Sequence, residues 1–223
     1  MNISHRHTYL YFVIPKCASA TLRMSLKPYT DVGYPVSVFE QHLTMLEFMK
    51  TEFSSFLDPY FKFTFVLNPY DRLYSGFRQD LSASLNQAAW KKVKAPIFEE
   101  IGEDFNRYLL EFAAKADVLR AWDWICFTPM REFAVLEGQY RLDWFGKMET
   151  FQSDLMELSR RLGVDVIKAK DQNFDAPPQA GLKYLGKYSR AAIEWVNETY
   201  ADDFELFGYE KVDPADFPVT LPA

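Results

Sequence analysis

The sequence predicts an α/β protein with a mainly parallel sheet. The sign of this is alternation: short apolar runs are each followed by a stretch with helical spacing. Three runs supply the strands, namely residues 9–15 (YLYFVIP), Phe61 to Leu67 (FKFTFVL) and Asp143 to Glu149 (DWFGKME). Their aromatic and β-branched members fit buried strands.

The elements follow in order. TLRMSLKP (Thr21 to Pro28) reads as a short helix stopped ahead of its proline, because the residue before proline is pushed out of the helical region. HLTMLEFMKTEF has apolar residues at helical spacing, with Thr44 as N-cap. After the second strand, NPYDRLYSGFRQDLSASL opens with Asn68 as N-cap and Pro69 at the first helical position, where a missing N–H does no harm. Residues 96–140 read as mostly helical and aromatic. The third strand leads into TFQSDLMELSRRLG, with Gly163 as its C-cap. Pro177, Pro178, Gly181 and Gly186 mark a long loop, and from Asn173 to Tyr188 it has the length and punctuation of a lid. A last helix, SRAAIEWVNETYADDFELFG, ends at Gly208. With 223 residues and no internal repeat, one domain over 1–223 is expected, with a helical elaboration at about 85–140. His5 and His7 read as tail residues.

Composition narrows the partners. Hydrophobic residues make up 48% of the chain and aromatics 17%, enough for a large core. The net charge of −6 argues against nucleic acid, which a basic face would hold. No apolar run approaches the ~20 residues that cross a bilayer, and the N-terminus lacks a signal-peptide pattern. A soluble, cytoplasmic protein is therefore expected, with peripheral membrane contact left open. Cys17 and Cys126 cannot make a disulfide framework. No His/Cys/Asp/Glu set shows ligand spacing, so no metal is expected.

The chemistry concentrates after the first strand. Ligands of such sheets bind at the carboxyl ends of strands, and there the chain reads IPKCASAT (Ile14 to Thr21). The small Cys17, Ala18, Ser19 and Ala20 let a phosphate approach the backbone at a helix N-terminus. Lys16 adds a point charge, and Ser19 and Thr21 add hydroxyl donors. In the nucleoside-triphosphate loop GxxxxGK[ST] the lysine comes late and glycines flank it. Here the lysine comes first and the first glycine of the chain is Gly33, which disfavours an ATPase loop. A plain strand–turn–helix with an exposed lysine is the competing reading.

A second motif, FTFVLNPYDRLYSGFRQ, follows the second strand. Together with IPKCASAT it resembles the carbohydrate sulfotransferases that use 3′-phosphoadenosine 5′-phosphosulfate (PAPS), in the branch of the chondroitin, dermatan and 2-O-sulfating heparan enzymes. QHLTMLEF resembles the histidine segment of that family, WFGKMETFQSDL its late strand–helix unit and YADDFELFGYE its C-terminal helix. The likeness runs in order over nearly the whole chain. It implies a P-loop-NTPase-like three-layer fold, a central mainly parallel sheet flanked by helices, with PAPS as co-substrate and a carbohydrate or glycoconjugate acceptor. The first loop of the family wraps the 5′-phosphosulfate, which calls for small residues and an early lysine rather than a triphosphate loop.

The resemblance also implies roles. Lys16 would stabilise charge developing on the leaving phosphate. The backbone of residues 17–21 (Cys17, Ala18, Ser19, Ala20, Thr21) would hold the 5′-phosphate. His42 would be the general base, its ordinary pKa of ~6.5 suiting an acceptor hydroxyl. Glu40 is the alternative base, and a structural hydrogen bond is the alternative role for His42. Ser75 would contact the 3′-phosphate. The family form VRxPxxRLxSxF places an arginine where this chain has Leu67, a departure that removes a charged hydrogen bond from that phosphate. Arg72 and Arg78 stand one helical turn either side of Ser75 and are candidates to compensate, Arg72 also being suited to a structural ion pair. Lys183 and Lys187 would close over the nucleotide, or are ordinary solvated lysines. Trp90, Trp122, Trp124 and Tyr140 lie where the family places acceptor contacts, or else in the core. WKKVK (Trp90 to Lys94) is either an anionic-glycan patch or a solvated face. Sulfuryl transfer needs no metal in principle, because little charge accumulates on the sulfonate.

Three readings follow: a PAPS-dependent carbohydrate O-sulfotransferase, a catalytically impaired nucleotide- or glycan-binding protein on the same fold, and a P-loop kinase of a small substrate. Leu67 favours the second reading, and the missing GK[ST] weighs against the third.

Overall fold

Tyr9, Leu10 and Tyr11 are wholly enclosed, as expected of a strand with neighbours on both sides. The structure is a computed structural model and describes residues 1–32, 42–166 and 182–217. The fold is α/β, with a central, mostly parallel sheet flanked by helices. The chain divides into two compact units, Met1–Leu67 with Met130–Ala180 and Asn68–Pro129 with Gly181–Ala223.

The first unit holds the sheet. Its strands are β1 (Asn2–Ser4), β2 (Tyr9–Tyr11), β3 (Phe61–Val66) and, late in the chain, β6 (Trp144–Lys147), in the order β1-β2-β3-β6. β2, β3 and β6 are parallel, and β1 is an antiparallel edge on β2. All three predicted strands are present. β1 was not expected: Ser4 and the backbone N–H groups of His5 and Arg6 donate to Asp31. His5 Nδ1 also lies 2.9 Å from the Tyr60 hydroxyl. The expected tail is thus tied to the sheet by one carboxylate. A small hairpin, β4 (Val135–Leu136) and β5 (Gln139–Tyr140), interrupts the stretch expected to be helical. Its turn residues Glu137 and Gly138 both have positive φ, the backbone that a two-residue hairpin demands.

The helices of this unit are α1 (Ser19–Leu26), α2 (Met45–Met49), α3 (Ser54–Leu57) and α7 (Phe151–Leu162). α7 packs on the sheet through Phe151, 5.4 Å from the Phe65 ring centroid. It ends at left-handed Gly163, as predicted. Gly146 faces Phe65 across the β3–β6 ladder. A Cβ there would stand 2.6 Å from Phe65 Cε1 and 2.8 Å from Trp144 Cη2, so only glycine fits between the rings.

The second unit is helical: α4 (Pro69–Asn86), α5 (Ala88–Ile101), α6 (Phe105–Arg107), α8 (Arg190–Thr199) and α9 (Ala201–Phe207). α6 runs into a π-helical turn, Tyr108–Ala113. Asn68 caps α4 by accepting from the Tyr70 N–H, with Pro69 in the first turn, as the sequence predicts. The expected last helix is two, broken at Tyr200, whose buried hydroxyl donates to the Phe127 carbonyl at 2.6 Å. The core is aromatic, with Phe77, Phe105, Tyr108, Phe112 and Trp124 in mutual ring contact. Gly76 lets α4 close on this core, since a Cβ would lie 3.1 Å from Cys126 Cβ. Among the described residues, no helix is long and apolar enough to cross a membrane.

Candidate active site

The parallel strands end on one edge of the sheet in the first unit, and the Lys16 loop and His42 lie by the end of β2. The β2 path continues to Phe12, whose N–H donates to Phe63 O at 2.9 Å. Thr64 Oγ1 donates to Phe12 O at 2.6 Å. These bonds fix the point from which the loop departs.

The loop turns sharply. Cys17 is wholly buried; its N–H donates to Ile14 O at 3.4 Å and its thiol to Pro15 O at 3.7 Å. Cys17 is therefore the anchor of the turn, its side chain turned into the protein. Lys16 has φ +70° and Ala18 φ +53°. Neither is glycine, and a side chain in the left-handed region costs about 1–2 kcal/mol. Alternating left- and right-handed backbone gathers successive N–H groups into an anion-binding concavity. Ala18 is the N-cap of α1, and no side chain caps this helix. The N–H groups of Ser19 and Ala20 have no acceptor within the helix by its geometry. Thr44, Asn68, Asp104 and Ser189 cap their helices with side-chain oxygens, whereas α3, α5, α7 and α9 share with α1 the lack of a side-chain cap. Lys16, Ala18 and Ser19 are half-exposed, Ala20 is exposed and Thr21 is buried.

His42 belongs to the same cluster. Its Nδ1 lies 2.7 Å from the Val13 carbonyl oxygen. A carbonyl only accepts, so Nδ1 carries the proton and the lone pair of the neutral ring resides on Nε2. The ring is half-buried. Thr44 and Glu47 hold the approach: they form a capping box, Glu47 N–H donating to Thr44 Oγ1 and Thr44 N–H to Glu47 Oε2 at 2.7 Å. Phe48 on the same helix meets the Phe12 ring edge to face at 5.4 Å. The histidine segment is thereby locked to the strand that carries the loop. Glu40 lies outside the described residues.

Leu67 follows β3 at the same edge, half-buried, and Lys147 ends β6 opposite Val66. Sequence reasoning passed over Lys147. Its place at the end of a parallel strand was the available signal.

The second unit carries the other candidates. Ser75 is half-buried on α4 and Arg78 is exposed. Arg72 is 1% exposed, and its charge is close enough to Tyr200 to draw that hydroxyl's pKa down against the larger upward push of burial. Lys183 is exposed, its ammonium 5.2 Å from the centre of the Tyr184 ring. The loop expected to be a lid is described only from residue 182, and residues 173–181 lie outside the described part. Asp71 was not singled out. Its carboxylate accepts from three backbone N–H groups, Leu182 and Lys183 at 3.1 Å each and Tyr184 at 2.9 Å.

WKKVK is a solvated face only in part. Lys91 and Lys92 are exposed, but Lys94 is buried, 2.6 Å from Asp80 Oδ1 and 4.0 Å from the centre of the Trp124 ring. Trp90 and Trp122 are half-buried and stacked at 5.6 Å, Trp124 is in the core, and Tyr140 is 41% exposed.

An uncapped helix behind a strained strand-end loop, with a lysine in it and an imidazole bonded to the preceding chain, defines an α/β protein with a candidate anion site. Comparison with known proteins sharpens that class: the profile described as "Sulfotransferase family" matches residues 1–210, and the chain belongs to that family. It is 25% identical over 268 residues to carbohydrate sulfotransferase 12 of Xenopus laevis, an alignment covering 95% of this chain and 60% of the relative. No solved structure matches.

Proposed function

We propose that the protein transfers a sulfuryl group from PAPS to a hydroxyl of a carbohydrate or glycoconjugate. The observation that carries the proposal is the pairing of His42 Nδ1 with the Val13 carbonyl, which supports a reading of Nε2 as the proton acceptor close to the chain that leads into the Lys16 loop. The family match and the carbohydrate sulfotransferase relative support the reaction class.

The loop of residues 15–21 receives the 5′-phosphosulfate, with the backbone of Ala18, Ser19 and Ala20 as donors and the Ser19 hydroxyl beside them. The acceptor hydroxyl gives its proton to His42 Nε2 as its oxygen forms a new bond to sulfur. The bond from sulfur to the bridging oxygen breaks, and the electron pair stays on the phosphate, where Lys16 offsets the charge. The products are the sulfated sugar and 3′-phosphoadenosine 5′-phosphate. Positioning and electrostatics do the work, as in phosphoryl transfer. A sulfonate carries less charge than a phosphoryl group, so the reaction is proposed to run without metal. Ser75, Arg72 and Lys183 are assigned to the 3′-phosphate.

Leu67 favours a second reading, a protein that binds the nucleotide and does not turn it over. Calorimetric titration with 3′-phosphoadenosine 5′-phosphate, ADP and ATP, with chelator present, tests the donor. The 3′-phosphorylated nucleotide should bind selectively and more weakly to Lys16→Ala. Equal binding of ADP would sink the assignment. Sulfate transfer to a glycan panel from labelled PAPS then separates enzyme from binder.

A further inference from the structure

Asp71 sits in the first turn of α4 and is 7% exposed. A carboxylate there is favoured by the helix dipole, yet its oxygens are turned to another segment. Oδ2 accepts from Leu182 and Lys183, and Oδ1 from Tyr184. Three consecutive backbone N–H groups on one carboxylate fix a short stretch of chain in a single conformation. Leu182 needs that support, because its φ is +100°, a backbone that a leucine rarely adopts.

What the clamp presents is Lys183. Tyr184 lies against Tyr74 of α4 at 4.6 Å, and the Lys183 ammonium sits over the Tyr184 ring. A lysine is a flexible point charge. Here its backbone is pinned on one side by Asp71 and its neighbour packs, tilted, against Tyr74, the residue next to Ser75. The far end of the segment is held separately. Tyr188 donates to Tyr70 O at 2.7 Å, and Asn106 bonds Lys187 O at 3.1 Å and the Ser189 N–H at 2.7 Å. Loss of the Asp71 clamp therefore loosens residues 182–184 and leaves the remaining anchors in place.

We infer that Asp71 is a positioning residue: its carboxylate fixes Leu182 to Tyr184 and so holds the Lys183 ammonium against α4, where it meets the 3′-phosphate of the donor nucleotide. The inference rests on the donor reading above and adds the residue that makes Lys183 effective.

The test is a double-mutant cycle on the full chain, read by calorimetry with 3′-phosphoadenosine 5′-phosphate and with AMP, which lacks the 3′-phosphate. Lys183→Ala changes an exposed side chain and should weaken the bisphosphate about tenfold, the scale of a charge-assisted contact, with AMP unchanged. Asp71→Asn puts an NH2 group against a backbone N–H and should show the same selective loss. Asp71→Glu should recover part of it. In the Lys183→Ala background, Asp71→Asn should add less than twofold, because it acts through that lysine. Three results overturn the inference: Lys183→Ala binding like wild type, Asp71→Asn weakening both ligands alike, or its effect persisting undiminished without Lys183. Failure of the donor reading has a different signature, a wild-type protein that does not bind the bisphosphate, and that result removes the inference as well.

Discussion

His42 Nδ1 stands 2.7 Å from the carbonyl oxygen of Val13, and this bond separates two jobs of one ring. Nδ1 holds the segment to the strand, and Nε2 carries the lone pair that the proposed reaction would use. His42→Asn can retain the first job, its amide nitrogen lying near the position of Nδ1, while losing the second. The expected result is unchanged nucleotide affinity with transfer slowed by about 10²–10⁴-fold, the usual range for a general base. Kinetics on His42→Asn and His42→Ala check it. A rate within a few fold of wild type for the asparagine variant would leave His42 a purely structural role.

Gly146 offers a test of the sheet. Its missing side chain is occupied by the Phe65 ring, 2.6 Å from where a Cβ would be. Gly146→Ala should destabilise the protein by about 1–3 kcal/mol through overpacking, lowering the melting point by roughly 2–4 °C per kcal/mol. Adding Phe65→Leu should recover part of the loss. Thermal melts of the wild type and the two variants measure this, and an unshifted Gly146→Ala would contradict the packing described.

The buried Lys94–Asp80 pair predicts a different pattern. Lys94 also donates to the Asp123 carbonyl at 2.8 Å, and Tyr108 donates to Asp80 Oδ2 at 2.8 Å. Lys94→Met leaves Asp80 enclosed without its cation, a loss of about 3–5 kcal/mol. Lys94→Met with Asp80→Leu removes both charges and should be less destabilised than the single change. Denaturant unfolding decides it: a double variant as unstable as the sum of the singles would mean the pair itself contributes little.

Alkaline pH should unfold the protein steeply. Burial pushes the Tyr9 hydroxyl up to about 12 and the hydroxyls of Tyr108 and Tyr188 well above the ordinary value. Burial also raises Tyr11 and Tyr200. A folded-state pKa above the unfolded one, ~10 for tyrosine, means the unfolded chain releases its proton first as pH rises. The stabilisation is complete below pH ~10 and is lost as pH climbs through the folded values. Tyrosinate absorbance and circular dichroism should change together between about pH 10 and 12. Full tyrosine ionisation with the fold retained would refute the burial.

Much of this was legible because periodicity and capping are local. The strand of Phe61–Val66, the Asn68–Pro69 start of α4, the Thr44 cap and the Gly163 stop each follow from residues within one turn. The Lys16 loop and His42 were legible as motifs. What escaped depends on distant partners. β1 exists because Asp31 collects Ser4, His5 and Arg6, a contact across more than twenty residues of sequence. Lys94 looks solvated in WKKVK until Asp80, on the preceding helix, is placed beside it. Asp71 sat in full view in NPYDR, but its role depends on chain more than a hundred residues later.

The two left-handed residues of the loop, Lys16 and Ala18, also bear on how this protein would respond to selection. Glycine at either position removes backbone strain, so a screen that rewards heat resistance alone has reason to find them early. At position 18 such a change keeps the geometry. At position 16 it discards the ammonium that the transfer step is proposed to use, and a hardier protein would emerge with its chemistry deleted.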